Sequence, residues 1–502
     1  MKNVLEYLEY NAAVNADKIA ASDYDVSVTY SELSERAKQI GSFLLRFGAK
    51  NRAISLFMEK SVDLLSAMLG VVYSGNFYSV VDLEMPNDRK NKIFEALKPA
   101  ALLTDKEHFD KAKEIDFDGE IILIEDAVQC SVNEKGLSEI RKSQIDTDPL
   151  YANFTSGSTG VPKGIVVCHR SVVDFIDVFT KTFDINENDI IANQAPFDFD
   201  VSVKDIYSSL KMGGHLVIVP RRLFSAPVEL IDYLCENKVT VMIWAVSALC
   251  LISTLHGLDY KTPETVRKIL FSGEVMPYKH LLNWQSHLPN ATLVNLYGPT
   301  EITCNCTYHI LEKNRDYSAG IPIGRAFENE DVFLLDENDQ LVTESGRAGE
   351  ICIRGTALAL GYYAAWEQTA KSFVQNPLNP NYPEFIYRTG DLAVYNEDGE
   401  LVFSGRKDFQ IKYMGHRIEL EEIEHAMAAI DGVERCVCVF DEKKSKLKGF
   451  YIGSIEKTEL LAIMRSTLPV FMIPGMIRQI EEMPLTKNGK VDRKQLQEMG
   501  RR

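Results

Sequence analysis

The sequence predicts an α/β protein: a large N-terminal domain of layered α/β subdomains with a small β-barrel attached, then a small α/β domain at the C-terminus. Three observations carry the prediction. Short apolar runs alternate with stretches of helical periodicity from about residue 53 to residue 272, as parallel strands joined by crossover helices require. Between Gly320 and Gly361 the rhythm shortens, with apolar runs at 332–335 and 350–354 separated by turn residues, which suits short strands of a small barrel. Near Gly405 composition and charge change, which places a boundary between domains 1–404 and 405–502.

Taking the chain in order, VTYSEL at 28–33 reads as a strand end turning into a helix with Ser31 as its N-cap. Leu33, Ala37, Ile40, Leu44 and Leu45 then recur at helical spacing up to Gly48. Apolar segments follow at 53–57, 62–73, 77–81, 91–97, 101–103 and 121–124. After a Gly/Ser/Thr loop come 165–167, a helix from about Ser171, and runs at 206–210, 215–219, 228–236, 239–244 and 269–272. The stretch 239–253 is shorter than the roughly 18 residues a membrane span requires, and reads as a buried strand running into a helix. Past Gly405, residues 409–413 are apolar and strand-like, and 419–424 form an acidic helix start.

Composition narrows the function classes. A chain of 502 residues with 45% apolar and 25% charged content has material for two or more cored domains. The N-terminal residues carry acids where a secretory signal would be apolar, so the expected location is the cytoplasm. The formal net charge of −17 argues against a general nucleic-acid or anionic-membrane binder. That charge is uneven: residues 406–502 carry 18 Lys/Arg against 15 Asp/Glu, net +3, and the remainder −20. The nine cysteines lack zinc-site spacing; Cys304/Cys306 and Cys436/Cys438, two apart, suit one face of a strand as reduced thiols.

The stretch with the clearest chemistry is YANFTSGSTGVPKG at 151–164. Thr155, Ser156, Gly157, Ser158, Thr159 and Gly160 offer backbone N–H groups and hydroxyls with little bulk, and Lys163 adds a compact positive charge, so the loop reads as a cradle for polyphosphate. It differs from the Walker pattern, because Val161 and Pro162 separate Gly160 from Lys163. A polar turn is the competing reading of the loop alone. The C-terminal loop LTKNGK at 485–490 is likewise polar and tipped with lysines, and by itself reads as a solvated turn.

These stretches, with NLYGPTE (295–301), YRTGDLAVYNEDGE (387–400), GRKDFQIKYMGHRIELEEIE (405–424) and PLTKNGKVDRK (484–494), stand in the order and spacing of the adenylate-forming ligases, which the chain resembles over nearly its whole length. PFDFDVSVKDIY (196–207), FSGEVMP (271–277) and the DFQIK run are similar to stand-alone amino-acid adenylation enzymes, D-alanine:D-alanyl carrier protein ligases in particular.

The resemblance implies ATP and Mg2+ as cofactors and a role for each motif. Carboxylate attack on the α-phosphate of ATP brings two anions together while charge builds on pyrophosphate, so positioning and charge neutralisation carry the catalysis. The 155–163 loop would hold the β- and γ-phosphates, and Thr300 and Glu301 the α-phosphate and metal, with Glu301 the metal ligand. Asn295, Tyr297 and Gly298 would border the adenine, Asp391 would accept the ribose hydroxyls near Arg406, and Lys490 would bridge substrate carboxylate and α-phosphate. Asp200, beside Val201, would answer the substrate ammonium, with Ser272, Gly273 and Gly298 completing that pocket. A helix cap is the alternative reading of Asp200. Lys204, four residues on, would pair with Asp200 or face solvent.

In the resembling family the C-terminal domain rotates about the position of Asp408, exchanging the Lys490 loop for the segment 412–415 that begins at Lys412. The acceptor there is a phosphopantetheine thiol. The sequence ends twelve residues after Lys490, which leads to the expectation of a carrier protein acting in trans, docked by charge on the more basic C-terminal domain.

Two departures bear on the substrate. Ser272 stands where the D-alanine enzymes often have cysteine, and WAVS at 244–247 lacks an expected proline. A small amino acid, D-alanine among the candidates, is the first expectation. An acyl-CoA or acyl-AMP ligase for acids without an amine and a non-catalytic nucleotide-binding homologue are the alternatives.

Overall fold

The computed structural model describes residues 1–48, 50–157, 162–441, 444–485 and 491–499. Two mixed, mostly parallel sheets make the bulk of the N-terminal part. One runs, edge to edge, Arg325–Ala326, Thr307–Ile310, Thr292–Tyr297, Lys268–Ser272, Val241–Ala245, Ile190–Asn193, His215–Ile218, Ile19–Ser22 and Ser27–Thr29. The other runs Gly361–Tyr362, Lys163–Cys168, Pro149–Thr155, Phe77–Val80, Ala53–Phe57, Ala101–Thr104 and Glu120–Leu123. A single apolar core joins the two: Val62 to Val72 on one helix and Val172 to Phe179 on another pack into the same cluster as Ile54, Ile165, Ile191 and Val294.

Local sequence explains the central elements. In Ala53–Phe57 all five residues are buried, as expected for a parallel strand covered on both faces. The helix Val62–Tyr73 that follows has only one exposed-side position outside the core, and Ser61 caps it by accepting the Leu64 N–H at 3.2 Å. The helix Tyr30–Leu44 buries Leu33, Ala37, Ile40 and Leu44 as their spacing predicts. Its cap is Thr29 rather than Ser31: Thr29 Oγ1 accepts the Glu32 N–H at 3.2 Å and Glu32 Oε2 accepts the Thr29 N–H at 2.8 Å. That reciprocal capping box satisfies two helix-end donors at once, so the helix begins two residues earlier than a Ser31 cap implies.

The short-strand region forms an antiparallel sheet of Leu341–Val342, Glu330–Leu335, Gly349–Gly355, Phe385–Tyr395 and Phe373–Gln375, with Leu401–Arg406 paired to the far end of the long strand. The chain leaves this sheet between Arg406 and Gln410. Beyond it lie a hairpin of Gln410–Tyr413 with His416–Glu419 and a three-stranded sheet with its own apolar core, built on Ile418, Ile423, Met427, Leu460 and Met464. Cys436 and Cys438 share the strand Val433–Asp441 as expected, whereas Cys304 and Cys306 lie in the turn before Thr307–Ile310, with Cys304 at φ +79°. All cysteines among the described residues are free thiols. No helix there is long and apolar enough to cross a membrane.

Candidate functional site

The site forms where the carboxyl ends of the parallel strands meet the hairpin of the C-terminal part, the usual position for ligands in open α/β sheets. The Gly/Ser/Thr stretch lies in sequence between two antiparallel strands: Thr155 and Lys163 are register partners at the ends of Pro149–Thr155 and Lys163–Cys168. Ser158, Thr159 and Gly160 lie outside the described residues, as does Lys490. Gly157 is buried. Ser156 is buried and its Oγ donates to the carbonyl of Arg417 at 2.8 Å. The Lys163 ammonium stands 5.7 Å from the ring centroid of Tyr362, whose hydroxyl donates to Glu301 Oε1 at 2.9 Å. The lysine of the candidate phosphate loop and the candidate metal carboxylate therefore share one tyrosine.

Asn295 and Tyr297 end the strand Thr292–Tyr297, and Thr300 and Glu301 follow in one short 3-10 turn. Asn295 Nδ2 donates to the Pro322 carbonyl at 2.9 Å, which fixes the orientation of its amide. Tyr297 is expected at the adenine. Here its hydroxyl donates to Asp391 Oδ2 at 2.5 Å, and the Lys412 ammonium lies 5.1 Å from its ring centroid. Gly298 is needed for close approach: a Cβ there would meet Asn305 Cα at 2.4 Å and the Cys304 carbonyl oxygen at 2.7 Å. Ser272 ends the neighbouring strand, and Gly273 takes φ +99°, a conformation that favours glycine.

Asp200 occupies the N-cap position of Val201–Met212 without its side chain bonding the helix end, so the cap does not account for it. Burial raises its pKa, and a bond from the Thr300 hydroxyl works against that rise. Val201 is partly exposed at the helix start. Lys204 follows neither sequence expectation. It is fully buried, and its ammonium donates to Asn305 Oδ1 at 2.5 Å. Burial lowers its pKa, with Cys304 and Asp200 opposing.

The hairpin from the C-terminal part closes the site. Arg406 bonds Asp391 and grips Asp408 through Nε and NH2 at 2.6 and 2.7 Å, so the two aspartates and Arg406 form one chain of charge. Burial lowers the pKa of Lys412. The Gly415 N–H donates to Glu274 Oε1 at 2.5 Å, and His416 stacks on Phe471 at 3.5 Å and meets Phe199 edge-on at 5.0 Å. Arg417 NH1 donates to both oxygens of Glu301, each at 2.8 Å. Burial alone would push the Glu301 carboxyl up; the Arg417 charge and the Tyr362 hydroxyl more than reverse this and hold it low. Glu422, just beyond the hairpin, pairs with Arg89 of the N-terminal part, both buried.

Sequence reasoning therefore brought together Thr155, Ser156, Lys163, Asn295, Tyr297, Thr300, Glu301, Asp391, Arg406, Asp408 and Lys412. It missed Tyr362, Arg417, Glu274 and Asn305. Arg417 lay inside a motif already singled out, GRKDFQIKYMGHRIELEEIE, and a charged residue on a strand that short was the available signal. Tyr362 carried no local signal, because only strand pairing of Gly361–Tyr362 with Lys163–Cys168 brings it to Glu301.

A family model described as AMP-binding enzyme matches residues 8–363. The chain is 31% identical to Surfactin synthase subunit 1 of Bacillus subtilis over 99% of its own length, but spans only 14% of that protein. It is 32% identical to Zwittermicin A synthase ZmaJ of Bacillus cereus, covering 96% of this chain and 92% of that one. Among solved structures, holo-PA1221, a nonribosomal peptide synthetase protein containing adenylation and PCP domains bound to a vinylsulfonamide inhibitor, superposes with a TM-score of 0.83 at 26% identity, over 99% of this chain and 84% of that one.

Proposed function

The chain belongs to the family of AMP-binding enzymes and is an adenylate-forming ligase; from that premise we propose that it activates an amino acid with ATP and passes it to a separate carrier protein in the cytoplasm. In the first step a substrate carboxylate oxygen bonds the α-phosphorus and the bond to pyrophosphate breaks. In the second, the carrier's phosphopantetheine thiol loses its proton, sulfur bonds the acyl carbon, and AMP departs.

Asp200 is the observation that carries the amino-acid reading. Asp200 is held beside Thr300, is not used as a helix cap, and among the described residues is answered by Lys204 and Lys412 only through longer-range charge, so a substrate ammonium would supply the direct cationic partner. A small amino acid, D-alanine among the candidates, is the substrate we propose. Thr155, Ser156 and Lys163 would orient the outer phosphates, Asp391 the ribose, and Lys490 the two reacting anions.

The residues here also fit Mg2+. No group of three His, Cys, Asp or Glu among the described residues could hold a metal unaided, but Glu301 is one buried carboxylate, linked through Tyr362 to Lys163 of the proposed phosphate loop. Mg2+ is typically held that way, by one or two carboxylates with phosphate oxygens and water. Glu301 and Thr300 would hold it, and the bound ion would neutralise charge on the phosphates.

Exchange of labelled pyrophosphate into ATP, across D- and L-amino acids with fatty and aryl acids alongside, tests the reading. Strong exchange with one small amino acid, lost in Asp200→Ala, is expected. Exchange only with acids lacking an amine would replace it with the acyl-ligase reading. Silence with ATP still bound would favour a non-catalytic homologue.

A further inference from the structure

The most unusual electrostatic feature of the site is that Glu301, the carboxylate proposed to hold the metal, already has a cation. Arg417 arrives on His416–Glu419, 116 positions away in sequence, and its NH1 bridges both Glu301 oxygens at 2.8 Å while Tyr362 takes a further position on Oε1. Glu301 is 1% exposed, so this is a desolvated pair rather than a surface contact. Isolated buried carboxylates are costly, and a carboxylate that loses one cation must gain another.

We propose that Arg417 is a stand-in for the divalent cation, so that metal at Glu301 and the inserted hairpin exclude one another. The inference rests on the reading of Glu301 as the metal-holding residue. Arg417 NH1 bonds both carboxylate oxygens, so the charge of Glu301 is already answered, and the pair is buried. A guanidinium and a divalent cation on one buried carboxylate repel each other, because the protein interior screens charge far less than water does. Tyr362 does not compete, because a hydroxyl donor brings no net charge.

The same strand that delivers Arg417 is tied to the rest of the site. The Ser156 hydroxyl, in the phosphate loop, holds the Arg417 carbonyl at 2.8 Å; Glu274 holds the Gly415 N–H; and Lys412 is the register partner of Arg417 across the hairpin. Insertion thus brings Lys412 to Tyr297 and Arg417 to Glu301 in one movement. The consequence is an ordering: pyrophosphate and its metal leave first, and only then does Glu301 accept the guanidinium that seats the hairpin for thioester formation. Free divalent cation in excess holds Glu301 against Arg417 and slows the second half-reaction while sparing the first.

The test uses the full chain and the binding of Mn2+ in the presence of fixed pyrophosphate, followed by electron paramagnetic resonance, with no turnover involved. If the hairpin is inserted in about nine molecules of ten, competition weakens apparent metal affinity about tenfold in the wild type. Arg417→Gln is expected to bind Mn2+ about tenfold more tightly. Arg417→Lys, which keeps the charge and guards against a folding defect in the first variant, is expected near wild type. Circular dichroism confirms that each variant is folded. A second readout is single-turnover transfer from preformed aminoacyl-adenylate to pantetheine: the wild-type rate should fall as free Mg2+ rises, and that Mg2+ dependence should vanish in Arg417→Gln. Equal Mn2+ affinity in wild type and a folded Arg417→Gln overturns the exclusion. If Glu301→Gln, in the Arg417→Gln background, binds Mn2+ as well as its parent, the metal reading of Glu301 itself fails, a result distinct from failure of the Arg417 proposal.

Discussion

Gly298 is the position where the structure allows the sharpest forecast from a single methyl group. In Gly298→Ala the new Cβ would sit 2.4 Å from Asn305 Cα, 2.7 Å from the Cys304 carbonyl oxygen and 2.9 Å from the Cys306 nitrogen. All three obstacles are backbone, so no side chain can rotate away and the 304–306 turn must move. Overpacking of this kind costs about 1–3 kcal/mol. The displaced turn carries Asn305, the hydrogen-bond acceptor for buried Lys204, and Cys304, whose thiol donates to the Asp200 carbonyl at 2.9 Å. Strain there is therefore transmitted to the residue proposed to hold the substrate ammonium. Thermal unfolding and pyrophosphate exchange measure the two consequences together: a lowered midpoint, and a KM for the amino acid raised about tenfold or more, with the KM for ATP changed less, since about 1.4 kcal/mol corresponds to tenfold in binding. An alanine variant with wild-type midpoint and wild-type amino-acid KM would show that the turn yields freely, and would refute the reasoning.

Two further outcomes follow from single sites. Glu330 has its pKa raised to about 8 by burial, against the Ala357 N–H that bonds Oε1 at 3.1 Å. Its folded-state value lies above the roughly 4.3 of an unfolded glutamate, so the folded chain holds a proton the unfolded chain has released, and stability falls as pH rises from about 4 to about 8. Glu330→Gln removes that dependence, and its thermal midpoint should gain on the wild type steadily between about pH 5 and about pH 8; a constant difference would contradict this. Thr29→Ala should cost about 1 kcal/mol by opening the capping box, while Ser31→Ala should be near neutral, and the reverse order in thermal unfolding would restore Ser31 as the cap.

Local physics made a good part of the fold legible. Ala53–Phe57 and Val62–Tyr73 fall where their apolar runs place them, because a fully buried strand and a helix packed on it leave little choice of pattern. Gly48, ending the helical spacing of residues 33–45, takes φ +68°, a left-handed turn that glycine enters without penalty. Ser31 was misleading because propensity for an N-cap is shared by Thr29 and Ser31, two positions apart, and the reach of Glu32 back to Thr29 distinguishes them. Cys304 and Cys306 misled in another way: a two-residue spacing resembles a strand face, but Thr303 and Cys304 both take positive φ, and the segment turns with its backbone packed against Gly298.

The motif order, read from the chain alone, indicated which residue types would be gathered and the chemistry proposed for them: hydroxyls and a lysine for phosphates, Glu301 for a metal, Asp391 for hydroxyls, Asp200 for an ammonium. Partner identity was decided by the tertiary structure. Whether Lys204 meets Asp200, solvent or Asn305, whether Tyr362 reaches Glu301, and whether Arg417 neutralises that same carboxylate depend on groups brought together from strands far apart in sequence. Side-chain periodicity is a property of a few neighbouring residues and is written locally. The pairing of buried charge is fixed by desolvation and distance between distant segments, and it exists only once the sheets and the C-terminal hairpin have closed around it.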